Sequence, residues 1–189
     1  MDIFMKKINF IFVVILILFN FYSCKSIRNS TLTKEETYEK IEDYLLTSKL
    51  YKAKGMVESY LKDNSDDSIV LCYYGLVLYA YKKYDDSIIA YEKAIQNESD
   101  NYLKSKYHYN LGFLYYENGI KDKAYNEFIK SVSYNDTLDS AFYFLGLLEF
   151  ENNQIDNCIK YWEKYTEVTG NTKKRESIIK IIDILRNKK

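Results

Sequence analysis

YNLGFLYYENGIKDKAYNEFIKSVSYNDTLDSAFYFLGLLEFENN, residues 109–153, is the stretch whose reading decides the fold. It contains Leu111-Gly112 and Leu145-Gly146, and the two glycines stand 34 residues apart. Sixteen residues after each glycine comes an aromatic residue, Phe128 or Trp162, and four before that a small one, Ala124 or Cys158. Self-similarity at such a period marks stacked helix pairs, each too small to bury its apolar face alone. A glycine inside a helix costs about 0.5–1 kcal/mol relative to alanine, so its recurrence says that a neighbouring helix comes too close for a side chain.

The pattern continues towards the N-terminus. Tyr74-Gly75 is followed by Leu78, Ser87, Tyr91 and Ala94, and one period earlier the same places hold Ile41, Tyr44, Ala53, Val57 and Tyr60. These residues and spacings resemble the tetratricopeptide repeat (TPR), a unit of two antiparallel helices with Leu-Gly in the first and a small residue, then an aromatic, in the second. The resemblance implies an all-α, right-handed α-solenoid of about four helix pairs plus a C-terminal capping helix. The units fall at about 34–67, 68–104, 105–138 and 139–168. Gly75, Gly112 and Gly146, the small residues Ala53, Ser87, Ala124 and Cys158, and the rings Tyr91, Phe128 and Trp162 are the expected packing positions. The sequence departs from the family pattern in two ways. Gly75 and Gly112 are 37 residues apart, an insertion of three, and Ser65, Ser99 and Asp136 stand where a proline is usual. Residues 169–189 are expected to cap the last apolar face, with Ile178, Ile179, Ile181, Ile182 and Leu185 on one side of a helix. The competing reading of that helix folds it into the groove or pairs it with a second copy.

Residues 1–23 have the form of a signal peptide: Lys6 and Lys7, then an apolar run from Phe10 to Phe19, then Ser23-Cys24. The run is too short to span a bilayer, which takes roughly 20 apolar residues. Ser23-Cys24 resembles the lipobox of bacterial lipoproteins, with Phe21 and Tyr22 departing from it. The resemblance implies acylation of Cys24, a lipid-attached tether over 24–33, and a membrane-anchored place in a bacterial cell envelope. An ordinary secretory signal or an uncleaved anchor is the alternative. Thr33 followed by Glu36 has the capping-box form and predicts a helix start.

The composition is that of a globular chain: 189 residues, 47% hydrophobic and 29% charged. Lys plus Arg and Asp plus Glu are both 27, so no net field draws the chain to nucleic acid. Cys72 and Cys158 read as small buried hydrophobes, and the single histidine, His108, as a packing residue. Asp63, Ser65 and Asp67 echo the start of a calcium loop, but Ser68 and Tyr74 stand where its glycine and glutamate belong. That segment reads as an acidic turn capping the next helix. No phosphate loop, dinucleotide fingerprint or nucleophile elbow occurs. The expectation is therefore a chain without catalysis, cofactor or metal.

The resemblance also assigns an inner face to the first helix of each unit. It comprises Tyr73, Leu76 and Tyr79, then Lys106, Tyr109, Asn110, Phe113 and Tyr116, then Tyr143, Phe144, Leu147 and Phe150. Lys106 is the one basic residue where the family's carboxylate-clamping members place several. Asn110 is the one amide set to bond an extended backbone. An aromatic face of this kind suits a protein segment or peptide, with tyrosine giving large contact area at small entropic cost. The expected role is a scaffold lipoprotein that binds another envelope protein. The alternative is a homo-oligomer formed through the C-terminal helix or the groove.

Overall fold

The computed structural model describes residues 32–187; the signal segment, Cys24 and nearly all of the tether lie outside them. Among the described residues there are nine helices and no strand. They are α1 (Lys34–Leu46), α2 (Leu50–Leu61), α3 (Ser68–Ala80), α4 (Tyr84–Asn97), α5 (Asn101–Glu117), α6 (Lys121–Tyr134), α7 (Asp139–Glu151), α8 (Ile155–Val168) and α9 (Thr172–Asn187). The first eight form four pairs, and α9 packs on α8. Thr33 opens α1 with the capping box: Glu36 N–H donates to Thr33 Oγ1 (3.2 Å) and Thr33 N–H to the Glu36 carboxylate (2.8 Å).

Every pair turns in the same way. Ser48, Lys82, Gly119 and Asn153 all have φ between 56° and 74°, and they recur with the repeat period. After each, the next N–H reaches back five residues, as in Lys83 to Leu78 O (2.9 Å) and Gln154 to Glu149 O (2.8 Å). This is a Schellman closure, which satisfies the last carbonyls of the first helix. Gly119 and Asn153 are residue types that favour this conformation, so the two turns at Ser48 and Lys82 are the ones invisible in the sequence.

The glycines face the rings that the period pairs with them. A methyl group on Gly75 would sit 2.7 Å from Tyr91, one on Gly112 2.9 Å from Phe128, and one on Gly146 2.3 Å from Trp162. What comes close is thus chiefly a ring of the second helix in the same pair, rather than a helix backbone. The first pair solves the same problem differently: Ile41 replaces the glycine and Val57 the ring, and both are fully buried. One aliphatic pair fills the space of glycine plus aromatic. The small residues keep the helices close, and Ser87 adds a buried bond from its hydroxyl to Gly75 O (2.8 Å).

The three inserted residues add a turn to a helix. α5 begins at Asn101, before the expected unit start at Ser105, while α3 and α7 begin at Ser68 and Asp139. Glu98 fixes the extra turn: one carboxylate oxygen accepts the N–H groups of Ser99 (2.8 Å) and Asp100 (2.9 Å). The other accepts the hydroxyls of Ser68 (2.7 Å) and Tyr107 (3.3 Å). Asp100 and Asp67 cap α5 and α3 through the N–H groups of Leu103 and Val70. The acidic segment before α3 is therefore a cap.

The expected single apolar face of the last helix divides in two. Ile178 and Ile182 are buried with Leu185 packed beside them, whereas Ile179 and Ile181 are 43% and 38% exposed and Ile184 is 53% exposed. Five aliphatics in eight positions cannot share one helical face, and only the i, i+4, i+7 set reaches α8.

Candidate protein-binding groove

Helical periodicity sorts each first helix into two faces. In α7, Phe142, Leu145, Leu148 and Glu149 are buried, and Tyr143, Phe144 and Leu147 are half-buried on the flank towards α5 and α9. None of the expected groove residues is fully buried, and Phe150 is 44% exposed.

Phe144 is the centre of the row. Its ring lies 5.3 Å from Phe128 in a parallel stack and 5.2–6.1 Å from Tyr116, Phe113, Tyr143 and Tyr109. Tyr79 continues the row on α3, 6.2 Å edge-on to Phe113. Such edge-to-face and offset contacts are the favoured aromatic geometries and hold the rings without covering their outer sides. Burial, with the Glu151 carboxylate behind it, pushes the Tyr116 phenol up to about 12, and burial also raises Tyr109, so these hydroxyls stay neutral donors. Tyr116 donates to Glu151 (2.9 Å), which Lys121 also binds (2.9 Å).

Other expected residues are placed differently. Tyr73 packs against the small cluster of Ile41, Val57 and Val70 rather than joining the row, and Leu76 and Leu147 pack against the main core. Asn110 is engaged, its amide donating to Cys72 Sγ (3.4 Å). Lys106 lies over the Tyr102 ring at 4.4 Å. Phe150 stacks on Trp162 at 6.0 Å, whose indole N–H donates to Tyr143 O (3.1 Å).

At its C-terminal end the row opens into a cleft of about 710 Å³ between α5, α7, α8 and α9. Tyr109, Ser140, Tyr143, Phe144 and Tyr165 line one side; α9 supplies Lys173, Lys174, Ser177, Ile178 and Ile181 on the other. The helix expected as a cap packs on α8 and also forms this wall, beside the groove where the competing expectation put it. A signal was present: three basic residues, Lys173 to Arg175, in the first turn of a helix, where the macrodipole disfavours them.

His108 Nδ1 and a Glu127 oxygen are 2.7 Å apart, Lys130 Nζ holds the other oxygen (2.6 Å), and His108 stacks on Tyr134 at 5.4 Å. Burial would raise the Glu127 carboxyl, but the His108 and Lys130 bonds prevail and hold it below the usual range. Cys72 and Cys158 are buried thiols that burial pushes up to about 12 and 11, which makes them inert at neutral pH. Among the described residues no group of His, Cys, Asp and Glu could hold a metal ion, and no helix is long and apolar enough to cross a membrane.

No protein-family model and no curated protein matches the chain. Solved structures do. Pseudomonas aeruginosa pilF superposes with a TM-score of 0.71 at 18% identity, over 81% of this chain and 69% of its own. A tetratricopeptide repeat protein from Parabacteroides merdae gives 0.65 at 21% identity, over 82% of this chain and 60% of its own. The first TPR of Spaghetti (RPAP3), bound to the HSP90 peptide SRMEEVD, gives 0.54 at 20% identity, over 62% of this chain and 90% of its own. The chain has the TPR fold. It is the right-handed solenoid of four helix pairs and a terminal helix that the resemblance to the repeat family implied. The aromatic row runs along the first helices of TPR pairs two to four, and the cleft lies between the fourth pair and the terminal helix.

Proposed function

We propose that this chain is a noncatalytic scaffold lipoprotein of a bacterial cell envelope. Acylated Cys24 anchors it, and the aromatic groove holds a segment of another envelope protein. The observation that carries this reading is the Phe144-centred row: six rings from three successive helix pairs touch one another and leave their outer sides half-open. A contiguous apolar surface of this kind is characteristic of an interaction site, and Tyr and Phe are the residues that anchor interfaces. The RPAP3 repeat shows that the fold accepts a peptide. The Ser23-Cys24 motif after an apolar run supports the anchor, and more than one acyl chain makes such anchoring stable.

Two measurements test the two halves. Metabolic acyl labelling should be lost in Cys24→Ala; label that persists would remove the anchor. Affinity capture from an envelope extract should lose its main partner with Phe113→Arg, shown to be folded by circular dichroism. Unchanged capture would remove the groove. The exposed Ile179, Ile181 and Ile184 favour a second reading, in which α9 pairs with a second copy. Sedimentation of a dimer that reverts to monomer with Ile181→Glu would support it.

A further inference from the structure

The cleft at the end of the aromatic row carries information about the occupant's charge. Its charged side chains are Asp139, Lys173 and Lys174. Asp139 is spoken for: Thr169 Oγ1 donates to one oxygen (2.7 Å) and Ser140 Oγ to the other (3.0 Å). Lys173 and Lys174 form no ion pair among the described residues.

The turn that presents the lysines is rigidly held. Thr169 is 1% exposed; besides binding Asp139 it accepts the Asn171 N–H (3.2 Å), and its carbonyl accepts the Arg175 guanidinium. Asn171 Oδ1 in turn caps the Lys174 N–H (3.0 Å). One network thus fixes the start of α9 over the cleft and engages both oxygens of the one carboxylate in the cleft lining. The lysines stand in the first turn of a helix, against the macrodipole. A locally unfavourable choice without internal compensation marks a site selected for something outside the chain.

We infer that the groove takes a segment of a partner protein with apolar side chains over Phe144 and Tyr143 and acidic side chains against Lys173 and Lys174. This deepens the proposed groove and rests on it. Acidic side chains are the source, rather than a chain terminus, because lysine ammonium groups are mobile point charges. They select net negative charge, whereas a single terminal carboxylate calls for a fixed fork of donors.

The test uses the full chain in detergent and short amphipathic peptides with leucine and phenylalanine on one face, amidated at the C-terminus. One carries glutamates at one end and its twin carries glutamines. The glutamate peptide should bind about fivefold or more tightly at low salt, the scale of two exposed charge pairs. Added salt and the variant Lys173→Gln/Lys174→Gln should each abolish the preference, and Phe144→Ala should weaken both peptides. Equal binding of the twins, with Phe144 dependence kept, overturns the charge inference and leaves the groove. Binding of neither peptide overturns both. A preference that survives Lys173→Gln/Lys174→Gln, or a dimer of the full chain dispersed by Lys173→Glu/Lys174→Glu, overturns the inference in favour of another surface or a second copy.

Discussion

Gly146→Ala tests the packing rule on which the fold rests. The added methyl would lie 2.3 Å from Trp162 Cδ1 and 2.4 Å from its Nε1. Trp162 cannot yield cheaply: it is 5% exposed, stacked on Phe150, and bonded through Nε1 to Tyr143 O. Overpacking costs about 1–3 kcal/mol and the strained or lost hydrogen bond about 1 kcal/mol, against a gain of about 1 kcal/mol in helix propensity. The net expectation is a loss of about 2 kcal/mol, or roughly 4–8 °C in Tm for a chain of this length. Gly55→Ala is the internal control, because nothing lies within 4 Å of a methyl there. It should gain about 0.5–1 kcal/mol. Urea unfolding followed by Trp162 fluorescence and by circular dichroism measures both. A Gly146→Ala protein as stable as wild type would refute the clash as the reason for the glycine. So would a loss that Trp162→Leu in the same chain does not reduce, since contacting residues must couple.

Lys82 has φ 58° in the closure of the second pair, so Lys82→Gly should stabilise by about 1 kcal/mol in the same unfolding assay. Stability should fall with acid. Glu98 and Glu127 are held below the usual carboxylate range by hydrogen bonds that outweigh burial, and Glu151 by its Lys121 bond. A depressed folded-state carboxyl contributes stability that is fully present above the unfolded value of about 4.3 and is lost as pH falls through the folded one. The contribution of these three carboxyls should therefore decline as pH falls below about 4.3, with a shallower decline in Glu127→Gln. Ile182→Glu should melt α9 from α8, because Ile182 is 4% exposed, whereas Ile181→Glu should leave the melting curve close to wild type. Hydrogen exchange of the α9 amides distinguishes the two.

The period was legible because its cause is local: a ring on one helix needs a glycine on its partner, and that pairing leaves Gly112 with Phe128 and Gly146 with Trp162 at a fixed separation. The first pair was fainter because Ile41 and Val57 conserve the volume while changing both residues. The turns at Ser48 and Lys82 left no trace, since the fold holds there residue types that do not favour a positive φ. The extra turn of α5 depends on Glu98 meeting Ser68 and Tyr107, contacts across helices that spacing does not reveal. The same applies to the cleft. The inner rings follow from the position of each residue in its unit, but Lys173 and Lys174 reach the groove only because Thr169 ties the start of α9 to Asp139.

The central claim is that a partner lies along the aromatic row. A photo-crosslinking amino acid at Phe150, exposed beside the row, and a second at Ile89, exposed on α4, place it directly in intact cells. The expected result is one protein captured from position 150, absent from position 89, and lost when Phe113→Arg is added. Equal capture from both positions, or capture at 150 that ignores Phe113→Arg, would contradict the claim.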